Sequence, residues 1–109
     1  MTMLEIFFWL LFAHALADFP FQGSYIAAAK NGAQPVPDTP WWYIMGVHSL
    51  IHAGMVMMIT GMWFLAVAEF VCHYIIDDMK CRGRFGYLTD QVLHIECKLA
   101  WAIVATVMV

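Results

Sequence analysis

Each of the five histidines stands four residues from another side chain that can bind a metal. The pairs are His14 with Asp18, His48 with His52, His73 with both Glu69 and Asp77, and His94 with Asp90. Residues i and i+4 share one face of a helix, so each pair points two donors in one direction. Imidazole nitrogen combined with carboxylate oxygen suits zinc, iron, manganese, nickel or cobalt better than magnesium or calcium alone. Donors from several helices can hold one or two such ions, as carboxylate-and-histidine bundles do. The candidate metal ligands are therefore His14, Asp18, His48, His52, His73, Asp77, Asp90 and His94, with zinc as first choice and iron or manganese as alternatives. A lone His or Asp inside a membrane is more often a hydrogen-bonded packing element or part of a proton path. Such pairs on four helices, using every histidine, exceed what packing requires.

These pairs need helices to carry them. A first helix is expected over residues 3–17, stopped near Pro20, which has no N–H for the carbonyl four residues back. Residues 21–31 can form an interfacial helix, and residues 32–40, with Pro35, Pro37 and Pro40, read as a loop. Asp38 or Thr39 is the expected cap of a second helix over 41–59. Residues 44–76 are almost continuously apolar, and as one helix would run about 50 Å, too long for a hydrocarbon core of about 30 Å. The chain must turn at Thr60-Gly61, giving a third helix over 62–80. A polar stretch from Lys80 to Arg84 makes the next turn, before a fourth helix over 87–109. The expected fold is a single all-α domain, residues 1–109: an integral membrane, antiparallel four-helix bundle running up-down-up-down.

Treating each hairpin as a mirror puts the pairs at depth. Across Thr60-Gly61, His48 lies opposite His73 and His52 opposite Glu69; across Gly83-Arg84, His73 lies opposite His94 and Asp77 opposite Asp90. His14, His48, His73 and His94 then share one layer. Asp18, Asp77 and Asp90 form a second layer about 6 Å away, one helical turn. A third level holds His52, Glu69 and Lys98, where Glu69 can be a ligand, a general base or the salt-bridge partner of Lys98. Gln22 and Gln91 stand beside the layers as hydrogen-bond donors to the ligands, or as helix caps.

Composition sets the solvent. Of 109 residues, 63% are hydrophobic and 12% charged, with a mean hydropathy of +0.74. A small soluble domain leaves too much surface exposed for so little charge. The net charge of -3 argues against nucleic acid. Three cysteines, Cys72, Cys81 and Cys97, form neither an even set nor a C-x-x-C pair, so reduced thiols are expected. Glu5 stands where a signal peptide would be positive. Lys30, Lys80, Arg82 and Arg84 fall in two connections, which places residues 18–40 and 80–86 on the cytoplasmic side of the inner membrane and both termini outside. Glu96 points away from the bundle axis and suggests a contact with another copy or a membrane partner.

The stretches LFAHALADFPFQ, HSLIH, EFVCHYIIDDMK and YLTDQVLHI, taken in order, resemble the membrane family catalogued as domain of unknown function 3307, found in bacteria and their phages. The resemblance covers residues 11–94 and implies the membrane class and the polar site, without supplying chemistry. Three functions are compatible with the residues. The first is metal-dependent hydrolysis of a phosphoester, lipid or lipid-linked, at the inner membrane surface. Asp77 or Asp90 would act as base, and Lys80, Arg82 and Arg84 would hold phosphate unless they serve only topology. The second is a non-enzymatic accessory subunit or phage-encoded modulator of a membrane complex, with a structural metal. The third is a di-iron or haem redox protein, against which the three buried acids argue in the case of haem.

Overall fold

Thr2 and Glu5 start the first helix with a reciprocal cap. The Glu5 amide donates to Thr2 Oγ1 at 3.2 Å and the Thr2 amide to a Glu5 carboxylate oxygen at 3.1 Å, satisfying two amides that a helix start leaves without partners. The structure, a computed structural model, describes residues 1–108. Its helices are α1 (Met3–Asp18), α2 (Gly23–Ala29), α3 (Trp41–Thr60), α4 (Trp63–Cys81) and α5 (Tyr87–Val107), with no strand among the described residues. The expected fourth helix reaches Val109, which lies outside the described residues.

Between α1 and α2 the chain bends by 84°, at a break that contains Pro20 and ends at Gly23 with φ 69°. The expected cap of α3 by Asp38 or Thr39 is not formed. Pro40 is the N-cap and no side chain caps the helix. Asp38 is turned into the left-handed region at φ 59°, and the Thr39 hydroxyl is spent on the Pro37 carbonyl at 3.4 Å, so both side chains sit behind the helix start. Gly61 ends α3 at φ 69°, its amide bonded to the Met57 carbonyl, a left-handed cap that costs glycine little.

α1 packs on α3 and α5, α4 packs on the same two, and α2 lies against α3. The four long helices thus form a ring with antiparallel neighbours, 46 Å along its longest axis. One end carries α2, the long connection to α3 and the α4–α5 turn; the other carries the Gly61 turn. Near the Gly61 end the core is apolar, built from Ile6, Leu10, Val56, Leu65, Ala102 and Ala105. Elsewhere it is polar. Among the described residues, eleven buried side chains are polar or charged and eleven apolar, whereas large apolar side chains such as Phe8, Phe12, Val67, Ile75, Val92 and Ile103 lie outside. On α4 the buried set is Leu65, Glu69, His73 and Asp77, a stripe of i, i+4 steps. By length and composition α3 could cross a membrane, and α1 with α2 passes only as a bent pair. The membrane-span evidence therefore rests on one or two helices, fewer than the four expected.

Candidate metal centre

All five histidines are buried, none more than 6% exposed. α1 supplies His14 and Asp18, α3 supplies His48 and His52, α4 supplies His73 and α5 supplies His94. Four of these side chains, Asp18, His48, His52 and His73, bring one donor atom each within 4.8 Å of one another. Asp18 Oδ1 lies 2.9 Å from His52 Nε2, 3.3 Å from His48 Nε2 and 3.9 Å from His73 Nε2. The Nε2 atoms of His48 and His73 are 3.2 Å apart. A tetrahedral zinc ion with bonds of about 2.0–2.1 Å separates its donors by about 3.3–3.4 Å. The donor atoms are thus already spaced as they would be around one ion.

Glu69 sets the tautomer of His73. The His73 Nδ1–H donates to Glu69 Oε2 at 3.1 Å, which leaves the Nε2 lone pair facing the cluster, as carboxylate-held histidines do at metal sites. Glu69 Oε1 accepts from Lys98 Nζ at 2.7 Å and from Trp101 Nε1 at 2.9 Å. Glu69 and Lys98 are therefore a buried salt bridge that orients one ligand. His52 does not share their level, as the mirror reading expected; it stacks on His73 with ring centroids 3.6 Å apart and bonds to Asp18. The break between α3 and α4 falls at Gly61 and Met62, one residue later than the turn read from sequence. That shift puts position 50 opposite His73, between His48 and His52, so both rings reach it.

The expected separation of an aspartate layer from a histidine layer also fails, for a second reason. Side chains on a helix lean toward its N-terminus. Asp18 on α1 and Asp77 on α4 lean toward the histidines, while Asp90 on the antiparallel α5 leans away. Asp77 Oδ2 consequently lies 3.4 Å from His48 Nε2 and 3.9 Å from His73 Nε2, yet it is held by an ion pair to Lys30 Nζ. Lys30, expected as a topogenic surface charge, is 5% exposed and also donates to Gln22 Oε1. The lysine directly follows Ala29, the one buried residue of α2, and no pattern in the sequence marks it for burial.

Asp90 lies 3.3 Å from His94 Nε2, and His94 stacks on His73 at 4.2 Å. His14 Nε2 is 3.2 Å from Asp18 Oδ2 and 3.2 Å from Gln91 Oε1. Gln91 Nε2 donates to Asp90 Oδ2 at 3.0 Å and to Asp18 Oδ2 at 3.4 Å, while Gln22 Nε2 donates to the Asp18 carbonyl at 3.0 Å. The structure therefore brings all eight candidate ligands into one core but gathers four of them tightly. Trp101, which donates to Glu69, carried no signal in the sequence beyond lying three residues after Lys98. Arg82 is occupied, bonding Asp78 at 3.0 Å and covering the Trp41 ring at 5.0 Å.

An all-helical bundle with a buried cluster of histidine and aspartate is the class of protein that fold and site define. The chain belongs to the family described as "Protein of unknown function (DUF3307)", whose pattern matches residues 6–109. No curated protein and no solved structure matches it.

Proposed function

We propose that the chain is a membrane-embedded metalloprotein that hydrolyses a phosphoester at the membrane surface, using a divalent transition metal held by Asp18, His48, His52 and His73. The observation that carries the metal reading is the donor spacing, 2.9 to 3.9 Å between Asp18 Oδ1 and three imidazole nitrogens. Charge supports it. Four carboxylates are inside the bundle; Lys98 balances Glu69 and Lys30 balances Asp77, which leaves Asp18 and Asp90 without a lysine. Unpaired charge in such a core costs several kcal/mol, and a divalent cation removes that cost.

The bilayer reading rests on a polar interior inside an apolar exterior, in a body 46 Å long, against a bilayer of about 40–45 Å including its headgroup regions. Helices α4 and α5 carry too much charge to pass as spans by composition, but Glu69, Asp77, Asp90 and Lys98 are turned inward, which leaves Glu96 as the exposed charge in the middle of α5. In this reading the positive-inside rule, applied to Lys80, Arg82 and Arg84, puts the α4–α5 turn on the cytoplasmic side and both termini outside.

A bound ion of this kind would supply a nucleophile by acidifying water near neutral pH. The protein groups do the rest. Glu69 holds His73 in its ligating tautomer, and Gln22 fixes the carbonyl of Asp18. Of the two acids considered as base, Asp77 is engaged by Lys30; Asp90 keeps a buried oxygen without a hydrogen-bond partner. A structural metal in an accessory subunit is the competing reading, favoured by one observation: His48, His52 and His73 are at most 2% exposed, as in a closed four-donor site. The detergent-solubilised, zinc-loaded chain assayed on a chromogenic aryl phosphodiester separates the two. Hydrolysis that falls at least about 100-fold in His73→Ala supports the enzyme. No turnover by the loaded protein, or equal turnover by the variant, overturns it.

A further inference from the structure

We propose that a second divalent cation binds next to the first, held by Asp18 Oδ2, His14 Nε2, Asp90 and His94 Nε2, with the Asp18 carboxylate bridging the pair. This rests on the metal-centre reading above and extends it from one ion to two.

Asp18 divides its oxygens between two sets of donors. Oδ1 faces His48, His52 and His73; Oδ2 faces His14 at 3.2 Å. On the second side, His94 Nε2 and Asp90 Oδ1 are 3.3 Å apart. Each separation by itself matches two donors on one ion, and Gln91 links the two pairs. The Asp90 contact is not a hydrogen bond: Asp90 Oδ1 is buried without a hydrogen-bond partner, in a residue 3% exposed. A buried carboxylate oxygen left in that state costs free energy unless something cationic meets it.

Between Asp18 and Asp90 sits the Gln91 amide nitrogen, donating to both carboxylates at 3.4 and 3.0 Å. A neutral amide marks the place of positive charge but cannot balance two anions. An ion in the first group touches Asp18 and does not reach Asp90, which belongs to none of its four donors. A second ion on Asp90, His94, His14 and the far oxygen of Asp18 compensates it.

Two ions sharing Asp18 would supply the paired-metal chemistry that stabilises the attacking and leaving oxygens of a phosphoryl displacement. Two divalent ions exceed the charge of Asp18 and Asp90, so the loaded site is cationic and selects an anionic group. The substrate class is thereby narrowed to phosphoesters that carry a negative charge at the reacting phosphorus.

The test is ion stoichiometry and coupling in the full chain in detergent, loaded with zinc for elemental analysis and with Mn²⁺ for electron paramagnetic resonance. The expected result is two ions per chain and an exchange-coupled manganese signal, falling to one ion and an uncoupled signal in Asp90→Asn. One ion per chain in the wild-type protein, with an uncoupled signal, overturns the second site and leaves the first standing. No ion at all overturns both.

Discussion

Glu69 has three partners and two oxygens, and each partner constrains what substitution does. Glu69→Gln leaves Lys98 as an unpaired buried cation and is expected to destabilise the protein by about 3–5 kcal/mol. The double variant Glu69→Gln, Lys98→Met should recover most of that loss, read as thermal unfolding in detergent. Equal losses in the single and double variants would show that the ion pair is not the source. Because Glu69 also accepts from His73 Nδ1, the double variant should still bind metal about 10–100-fold more weakly. Lys30 makes a parallel case. Lys30→Met strands Asp77 and should cost about 3–5 kcal/mol; unchanged stability would return Lys30 to a role in topology alone. At this scale the sequence is informative where chemistry repeats at i, i+4, which is why all eight candidate ligands converge. Across a hairpin the mirror reading reaches Glu69 with Lys98, but Lys30 with Asp77 and Trp101 with Glu69 have no pattern in the sequence, because they depend on how α2 folds back on the bundle and on which way an indole turns.

Helix ends were legible because they are punctuated. Pro20, Gly61 and Gly83 mark boundaries that the structure reproduces to within a residue or two. Small errors at a turn nevertheless propagate. A hairpin centred on Thr60-Gly61 instead of Gly61-Met62 puts His52 at the wrong level, and because side chains lean toward helix N-termini, Asp18 reaches histidines that backbone height alone separates from it. Two glycines test the connections. Gly61 is left-handed at φ 69°, so Gly61→Ala should cost about 1–2 kcal/mol. A Cβ at Gly32 would stand 2.7 Å from both the Trp41 ring and an Arg82 nitrogen. Gly32→Ala should therefore displace the Trp41–Arg82 stack that ties the long connection to the α4–α5 turn, visible as a change in tryptophan fluorescence; an unchanged spectrum would mean that the connection moves instead.

At the scale of the molecule, among the described residues, the interior around the histidines is polar, the interior near Gly61 is apolar, and many large apolar side chains lie outside. The membrane account predicts that the chain stays with the membrane pellet after alkaline carbonate extraction, and release into the supernatant would contradict it. Burial separates residues that composition treats alike: Asp90 and Lys98 lie inside, while Glu96 on the same helix is exposed. No count of charges along the sequence distinguishes them. The central claim is that this interior holds a metal. The most direct measurement is the metal content of the detergent-purified protein beside that of His73→Ala, with helical circular dichroism to show that both are folded. The account predicts near-stoichiometric zinc, iron or manganese in the wild-type protein, lost in the folded variant. Metal absent from both, or equal in both, would contradict it.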